Sequence, residues 1–247
     1  MYEQASGQQI NPTRTTLFFS KAIVEEKKRE ILNFLGVPEI KEYEKYLGLP
    51  TVMGRKKEAS LNYIKERVWT KLQGWKEKLL SQVGREVLLK AVVQAIPNFA
   101  MSYFMLPVGL CNDIEMLIRK FWWGKRGGQR RIHWKNWETL CKPKFDRGMG
   151  FKDLVRFNKA MLTKQVWRLL TDKTSLFFKV FSTKYFPSSS VFDAKSSKGP
   201  YAWRSILKAR QVVQEGMLWR IGDGSKIRVF HDKWIPGVFP LKAAAQN

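Results

Sequence analysis

The sequence predicts a mainly α-helical fold with minor β structure. Apolar residues recur every three or four positions along most of the chain, which is the spacing of one helix face, whereas alternating patterns are confined to two short stretches. A hydrophobic content of 44% over 247 residues is enough for one large core or two small ones. We therefore expect the chain to fold, with helices as its main elements.

Two stretches carry the β prediction. The short apolar run Leu17–Phe19 predicts an N-terminal strand. Apolar and polar residues alternate on both sides of a Gly-Asp-Gly turn at 222–224, which predicts a C-terminal β-hairpin. The N-terminal run begins abruptly, so we expect it to be the tail of a longer unit.

Helical periodicity and capping residues define the remaining elements. Ser20, Asp153 and either Asn112 or Asp113 are predicted N-caps, because their short side chains accept hydrogen bonds from a first helical turn. Gly36 and Gly84 are predicted to end helices. The predicted helices are Lys21–Leu35, roughly 25 positions from Lys57, Arg85–Pro97, Asn112–Trp123, Asp153–Leu170, Ser175–Tyr185 and Tyr201–Glu215.

The most informative segment is 121–151, in which four tryptophans and five glycines occur among many basic residues. Counted from Arg119, ten Lys or Arg residues face only Glu138 and Asp146. Such an excess suits a polyanion whose phosphates need cations. Two interpretations of the indole rings remain open, stacking on nucleic-acid bases or filling a core; the rings are those of Trp122, Trp123, Trp134 and Trp137.

The overall charge narrows the choice of partners. A formal net charge of +24 and an isoelectric point near 10.1 indicate nucleic acid, with an anionic membrane surface or an acidic protein as alternatives. The sequence contains no apolar run of about 18 residues, so we expect no membrane span. It also begins without a secretory signal, and we expect the nucleus or the cytoplasm as its compartment.

Catalytic groups are sparse in the sequence. The adjacent acids Glu25 and Glu26 lie on the polar face of a predicted helix, and neither His133 nor His231 stands beside a nucleophile with an acidic orienting group. The two cysteines are too few for a disulfide framework or a zinc ribbon. The sequence therefore predicts no catalytic residue, no metal site, no cofactor and no small-molecule substrate.

Several motifs carry a resemblance to a known family. They are YLGLP at 46–50, GWKEKLLS at 74–81, GREVLLKAVVQAIPNFAMSYFMLP at 84–107, FWWG at 121–124, RRIHWKNWETLCKPK at 130–144, GMGFKDL at 148–154 and WRIGDGSKIRVFHDKWIP at 219–236. In order and spacing they are similar to the reverse-transcriptase polyprotein of plant non-LTR retrotransposons of the long-interspersed-element type. The resemblance covers nearly the whole chain.

The resemblance implies a division into three parts. Residues 1–20 would be the end of the polymerase palm, 21–124 a helical thumb-like module, and 125–247 a basic aromatic connection that precedes a zinc-binding segment and an RNase H domain in full-length relatives. The acidic motif that holds the catalytic metal ions of the family would precede Met1. The chain alone is therefore expected to be non-catalytic and to bind RNA, DNA or their hybrid without sequence preference.

The thumb-like role singles out basic residues that would contact phosphates. They are Lys57, Lys65, Lys71, Lys76, Lys78, Arg85, Arg130, Arg131 and Lys135. Three alternatives remain open: a piece of an active RNA-directed DNA polymerase completed by upstream sequence, a helical protein-interaction module, or a product that does not accumulate. The sequence names no protein partner.

Overall fold

The computed structural model divides the chain into two units, Met1–Ser60 and Leu61–Asn247. Helices dominate the described residues, which contain one two-stranded sheet, so the predicted mainly α fold with minor β is confirmed. The described residues are 7, 11, 15, 17, 19, 23–39, 45–46, 48–50, 53, 57–76, 80–124, 134–194, 199–218, 220–223, 225 and 234.

The first unit contains helix α1, Glu25–Leu35. The helix begins later than predicted, and Val24 rather than Ser20 is its N-cap; the acidic side chains of Glu25 and Glu26 in the first turn suit the positive end of the helix dipole. Gly36 ends the helix as predicted, in the left-handed conformation with φ 61°.

Short extended segments accompany α1. At the predicted N-terminal strand, the described residues form a parallel bridge between Leu17 and Glu39. Strands β1, Lys45–Tyr46, and β2, Leu49–Pro50, pair antiparallel, with Lys45 opposite Pro50 and Tyr46 opposite Leu49. This hairpin overlaps the motif YLGLP at 46–50.

Helix α2, Lys57–Lys76, has 20 residues and continues from the first unit into the second. Its apolar stripe is buried as the periodicity predicts, at Leu61, Ile64, Val68 and Leu72. Lys65 and Lys71 flank this stripe, and Lys65 is half-buried whereas Lys71 is exposed. The helix therefore has the predicted amphipathic character.

Helix α3, Gln82–Ala91, begins earlier than predicted. Ser81 is its N-cap, with Oγ accepting a hydrogen bond from the Gly84 N–H at 3.1 Å. Gly84 therefore belongs to the first turn and does not break a helix. The predicted continuation to Pro97 is also wrong, because a 3₁₀ turn at Val93–Ala95 and the short helix α4, Asn98–Met101, follow instead.

Helix α5, Val108–Trp122, starts one turn before its predicted beginning at Asn112. Pro107 is the N-cap, so the predicted caps Asn112 and Asp113 lie inside the helix. Burial of Leu110 and Cys111, each about 1% exposed, explains the extra turn, since these apolar side chains are covered only when the segment is helical.

Three helices form the C-terminal core: α7, Leu154–Thr171; α8, Leu176–Tyr185; and α9, Tyr201–Gly216. The short helix α6, Trp137–Cys141, precedes them. Asp153 caps α7 as predicted, accepting from the Arg156 N–H at 2.9 Å. At the centre of this core Trp203 is fully buried, and its ring stacks on that of Tyr185 with centroids 4.7 Å apart.

The described residues do not test two of the predictions made from the sequence. The C-terminal β-hairpin lies largely outside the described residues, and the three-part division at 20 and 124 stays as the sequence proposes it. In the described part of the chain, no helix combines the length and the apolar character needed to cross a membrane.

Candidate nucleic-acid interface

Residues 134–151, called the basic loop below, form a hydrogen-bonded unit around α6. Asn136 caps α6, with Oδ1 accepting from the Thr139 N–H at 2.8 Å. Beyond α6 the chain folds back, and the Met149 and Phe151 N–H groups both donate to the Leu140 carbonyl, at 3.0 and 3.2 Å. The basic loop is therefore fixed by backbone hydrogen bonds.

Gly148 permits the tightest point of this fold. A Cβ atom at this position would lie 1.9 Å from the carbonyl oxygen of Lys142, so no other residue fits without backbone movement. Arg147 precedes it in the left-handed conformation, with φ 58°. The Nζ of Lys135 donates to the Arg147 carbonyl at 2.7 Å and joins the two ends of the loop.

The four tryptophans of the central segment divide between core and surface. Trp122 is 4% exposed and meets the Phe151 ring edge-on at 5.4 Å, while Trp137 stacks on the same ring at 5.6 Å. Trp123 is half-buried. Trp134 is 77% exposed, so it is the tryptophan of this group that presents its ring to solvent.

Not all of the nine predicted phosphate contacts can be placed. Lys78, Arg130 and Arg131 lie outside the described residues, as does the side chain of Lys76 at the end of α2. Lys57 is half-buried at the start of α2, in the first unit. The second unit holds the other four, namely Lys65, Lys71, Arg85 and Lys135.

These four differ in whether their charged groups contact other residues of the protein. Lys65 forms a salt bridge with Asp113 of α5, with Nζ and Oδ2 2.6 Å apart. The Arg85 guanidinium lies over the Phe121 ring, 6.0 Å from its centroid. Lys71 is exposed on α2, and Lys135 is exposed although it also donates to Arg147. Among these four described residues, Lys65 and Arg85 are therefore engaged within the protein, whereas Lys71 and Lys135 are exposed.

The basic loop exposes cations that the predicted set omits. Lys142, Lys144 and Arg147 are all exposed, next to Lys135 in the same hydrogen-bonded unit. Lys144 also lies 3.0 Å from Oε1 of Glu86, which bonds Lys90 at 2.7 Å. The sequence signal was present, since three of the six residues at 142–147 are Lys or Arg, but only the fold brings Arg147 to Lys135.

Glu86 fixes the loop to α3. Its carboxylate accepts from both Lys90 and Lys144, and these two hydrogen bonds hold the pKa of Glu86 below its usual value. The loop is therefore anchored to the helical body while its remaining cations face solvent.

A cleft of about 680 Å³ lies between α5, α6 and the start of α7. Three acidic and three basic side chains line it. The lining residues are Glu115, Arg119, Trp137, Glu138, Cys141, Lys142, Pro143, Asp153 and Arg156.

Glu115 is the buried charge of this cleft. It is 8% exposed, and its Oε1 accepts a hydrogen bond from the Leu154 N–H at 2.7 Å. Burial raises the pKa of Glu115, and this is one signature of a catalytic acid. Here the carboxyl satisfies the first N–H of α7, which is a structural role.

The two thiols are not arranged for nucleophilic catalysis. Burial raises the pKa of both Cys111 and Cys141 to about 12, so neither is a thiolate at neutral pH. In the part of the chain that the structure describes, no group of three or more His, Cys, Asp and Glu side chains could hold a metal ion. His133 and His231 lie outside that part.

The fold and the loop define a basic, mainly helical protein. No family model matches it. Over 149 residues the chain is 40% identical to the uncharacterized mitochondrial protein AtMg00310 of Arabidopsis thaliana, an alignment that covers 60% of the chain and 97% of that protein. The chain therefore belongs to the same family as this Arabidopsis protein.

A second relative is much longer. Over 194 residues the chain is 36% identical to an Arabidopsis thaliana protein named as a ribonuclease H protein, At1g65750. The alignment covers 76% of the chain and 31% of that protein, so the chain spans about a third of the length of this relative. The plant source of both relatives and the ribonuclease H name agree with the family that the sequence motifs resemble.

Proposed function

We propose that the chain is a retroelement-derived polypeptide that binds RNA, DNA or their hybrid through phosphate contacts, without sequence preference and without polymerase activity of its own. The retroelement assignment is supported by the motifs between 46 and 154, which are similar to a reverse-transcriptase thumb and connection. It is also supported by the ribonuclease H name of the longer relative, since an RNase H domain follows the connection in that family.

One observation carries the binding proposal: the basic loop exposes four cations on a fixed backbone. They are Lys135, Lys142, Lys144 and Arg147, of which Lys144 also pairs with Glu86, and the loop contains the two acids Glu138 and Asp146. A net charge of +24 adds a long-range attraction for polyanions. Cations held on a rigid segment bind phosphates at a lower entropic cost than cations on a flexible one.

Binding of this kind depends steeply on salt. Each phosphate contact releases condensed counterions, so the logarithm of the affinity falls by about 0.9 per contact for each tenfold rise in salt concentration. Contacts to phosphates alone carry no sequence information, and affinities for unrelated sequences should agree closely.

The test is fluorescence anisotropy of a labelled RNA–DNA hybrid, titrated with the purified chain over a range of salt concentrations. Two variants probe the basic residues. The triple change Arg130→Ala, Arg131→Ala, Lys135→Ala covers two predicted contacts that precede the loop and one within it, and the double change Lys142→Ala, Arg147→Ala probes the loop alone. The matched control is Lys159→Ala, Lys164→Ala, which removes two exposed lysines from α7.

We expect the affinity of the native chain to fall steeply with salt concentration. The salt dependence should be shallower in the two variants and little changed in the control. Absence of binding at low salt would overturn the proposal. Binding that tolerates salt would favour the protein-interaction alternative. If the double variant and the control lose the same affinity, the basic loop is not the binding site.

A further inference from the structure

Two exposed aromatic side chains in the basic loop are not explained by phosphate binding. Trp134 is 77% exposed and Phe145 is 85% exposed. Burying such rings normally stabilises a fold, and large aromatic side chains left exposed in one structured segment can mark a binding surface. Their position within the most basic segment of the chain suggests a ligand that has both planar and anionic parts.

The backbone holds both rings on one small unit. Trp134 precedes Lys135, whose Nζ donates to the Arg147 carbonyl at 2.7 Å, and Phe145 lies in the 3₁₀ turn Lys144–Asp146 just before Arg147. The tight packing of Gly148 against the Lys142 carbonyl fixes the other side of this turn. The two rings are thus displayed by a structured segment, and little conformational entropy is lost when a ligand binds them.

Basic residues flank both rings along the chain. Lys144 immediately precedes Phe145, Arg147 follows two residues later, and Lys135 follows Trp134; all three are exposed. A second copy of this chain would bring the same positive charge to this surface, and like charges in close contact oppose association. Charge complementarity therefore favours an anionic occupant over a second copy.

We propose that Trp134 and Phe145 stack on unpaired bases of single-stranded nucleic acid while Lys135, Lys142 and Arg147 contact the adjoining phosphates. This inference rests on the nucleic-acid binding proposed above and narrows its substrate class. Bases in a duplex already stack on each other, whereas unpaired bases can stack on an aromatic side chain. Because every base has a planar face, the site requires no particular sequence.

The test uses three labelled probes of about 12 nucleotides: a single strand of thymidines, an abasic strand with the same number of phosphates, and a duplex. The test variant is Trp134→Ala, Phe145→Ala, and Trp134→Phe is the rescue variant because it keeps an aromatic ring. The matched control is Phe34→Ala, which removes a ring that is 86% exposed on α1. Thermal unfolding of each variant verifies its fold.

The native chain should bind the thymidine strand about tenfold or more tighter than the abasic strand. The double alanine variant should lose this difference, with an unchanged affinity for the abasic strand and an unchanged salt slope. Trp134→Phe should retain most of the difference, and Phe34→Ala all of it. Since the abasic strand reports phosphate contacts alone, this pattern separates stacking from charge.

Two results would overturn the inference while leaving phosphate binding intact. One is equal affinity of the native chain for the thymidine and abasic strands. The other is an alanine variant that binds the thymidine strand as tightly as the native chain; if light scattering then shows a change of oligomeric state, the rings serve self-association. Failure of all three probes to bind at low salt would instead contradict the proposed function itself.

Discussion

The side-chain oxygen Oδ1 of Asn158 accepts a hydrogen bond from the backbone N–H of Leu106 at 2.7 Å. The same amide donates through Nδ2 to the carbonyls of Met101 and Phe104, at 3.0 and 2.9 Å. Asn158 is 2% exposed, so its three hydrogen bonds replace those that water would make. They join α7 to the turn between α4 and α5.

Replacement of Asn158 by Leu should lower the free energy of unfolding by about 3 kcal/mol. The change keeps the approximate volume but leaves one buried N–H and two carbonyls without their partner, and each unsatisfied buried group costs about 1–3 kcal/mol, with partial relief by rearrangement. Urea unfolding followed by circular dichroism measures the difference. Lys159→Ala, at the exposed neighbouring position, should stay within about 0.5 kcal/mol of the native chain. Equal stability of Asn158→Leu and the native chain would show that the buried amide adds nothing.

The two glycines Gly148 and Gly74 should respond in opposite directions to the same substitution. Gly148→Ala forces a methyl group against the Lys142 carbonyl and should destabilise the chain by roughly 2 kcal/mol or more. Gly74→Ala places a methyl group in open space within α2 and should stabilise it by about 0.5–1 kcal/mol. Thermal unfolding of both variants provides the comparison. A tolerated Gly148→Ala would mean that Gly148 does not pack against the Lys142 carbonyl.

Local signals account for the parts of the fold that the sequence predicted well. At α7 a capping carboxylate, Asp153, stands directly before a long apolar periodicity, so the beginning of the helix is encoded within a few residues. At α5 the local signal is misleading. Asn112 and Asp113 resemble caps, but burial of Leu110 and Cys111 extends the helix by a turn, and burial depends on residues far away in sequence.

The candidate site was harder to predict because it, too, depends on contacts between residues far apart in the sequence. Composition indicates an excess of cations, but which of them remain exposed depends on contacts such as Lys65 with Asp113, which are 48 positions apart. The aromatic residues show the same limit. Trp134 and Trp137 are three positions apart in one polar segment, but Trp137 is half-buried and stacks on the Phe151 ring, whereas Trp134 is exposed.

Lys71 and Lys65 should therefore contribute unequally to nucleic-acid binding. Lys71 is exposed, whereas the charge of Lys65 already faces Asp113 at 2.6 Å. Lys71→Ala should reduce the salt slope of binding by up to about 1, and Lys65→Ala should reduce it by less. Because the Lys65 pair is partly exposed, its loss should cost no more than about 1 kcal/mol of stability. The anisotropy titration described above measures both slopes, and a larger effect of Lys65→Ala would reverse this assignment.

Glu115→Gln should make the stability of the chain less sensitive to pH. Burial raises the pKa of Glu115, with a smaller contribution in the same direction from Asp153, and the Leu154 N–H and Arg119 oppose this shift. The folded chain therefore keeps the proton to a higher pH than the unfolded chain, whose carboxyl titrates near its ordinary value of 4.5. The stability that this proton provides is complete below that value and is lost as the pH rises through the folded pKa.

Glutamine keeps an oxygen that can accept from the Leu154 N–H, and it has no charge to bury. The variant should match the native chain at acidic pH and become more stable than it as the pH rises above the ordinary carboxyl pKa, as measured by urea unfolding over a series of pH values. Glu138→Gln, an exposed change in the same cleft, is the control and should show no such trend. A stability difference between Glu115→Gln and the native chain that stays constant with pH would mean that the folded carboxyl titrates as it does in the unfolded chain, and the buried Glu115 would then be solvated through the cleft.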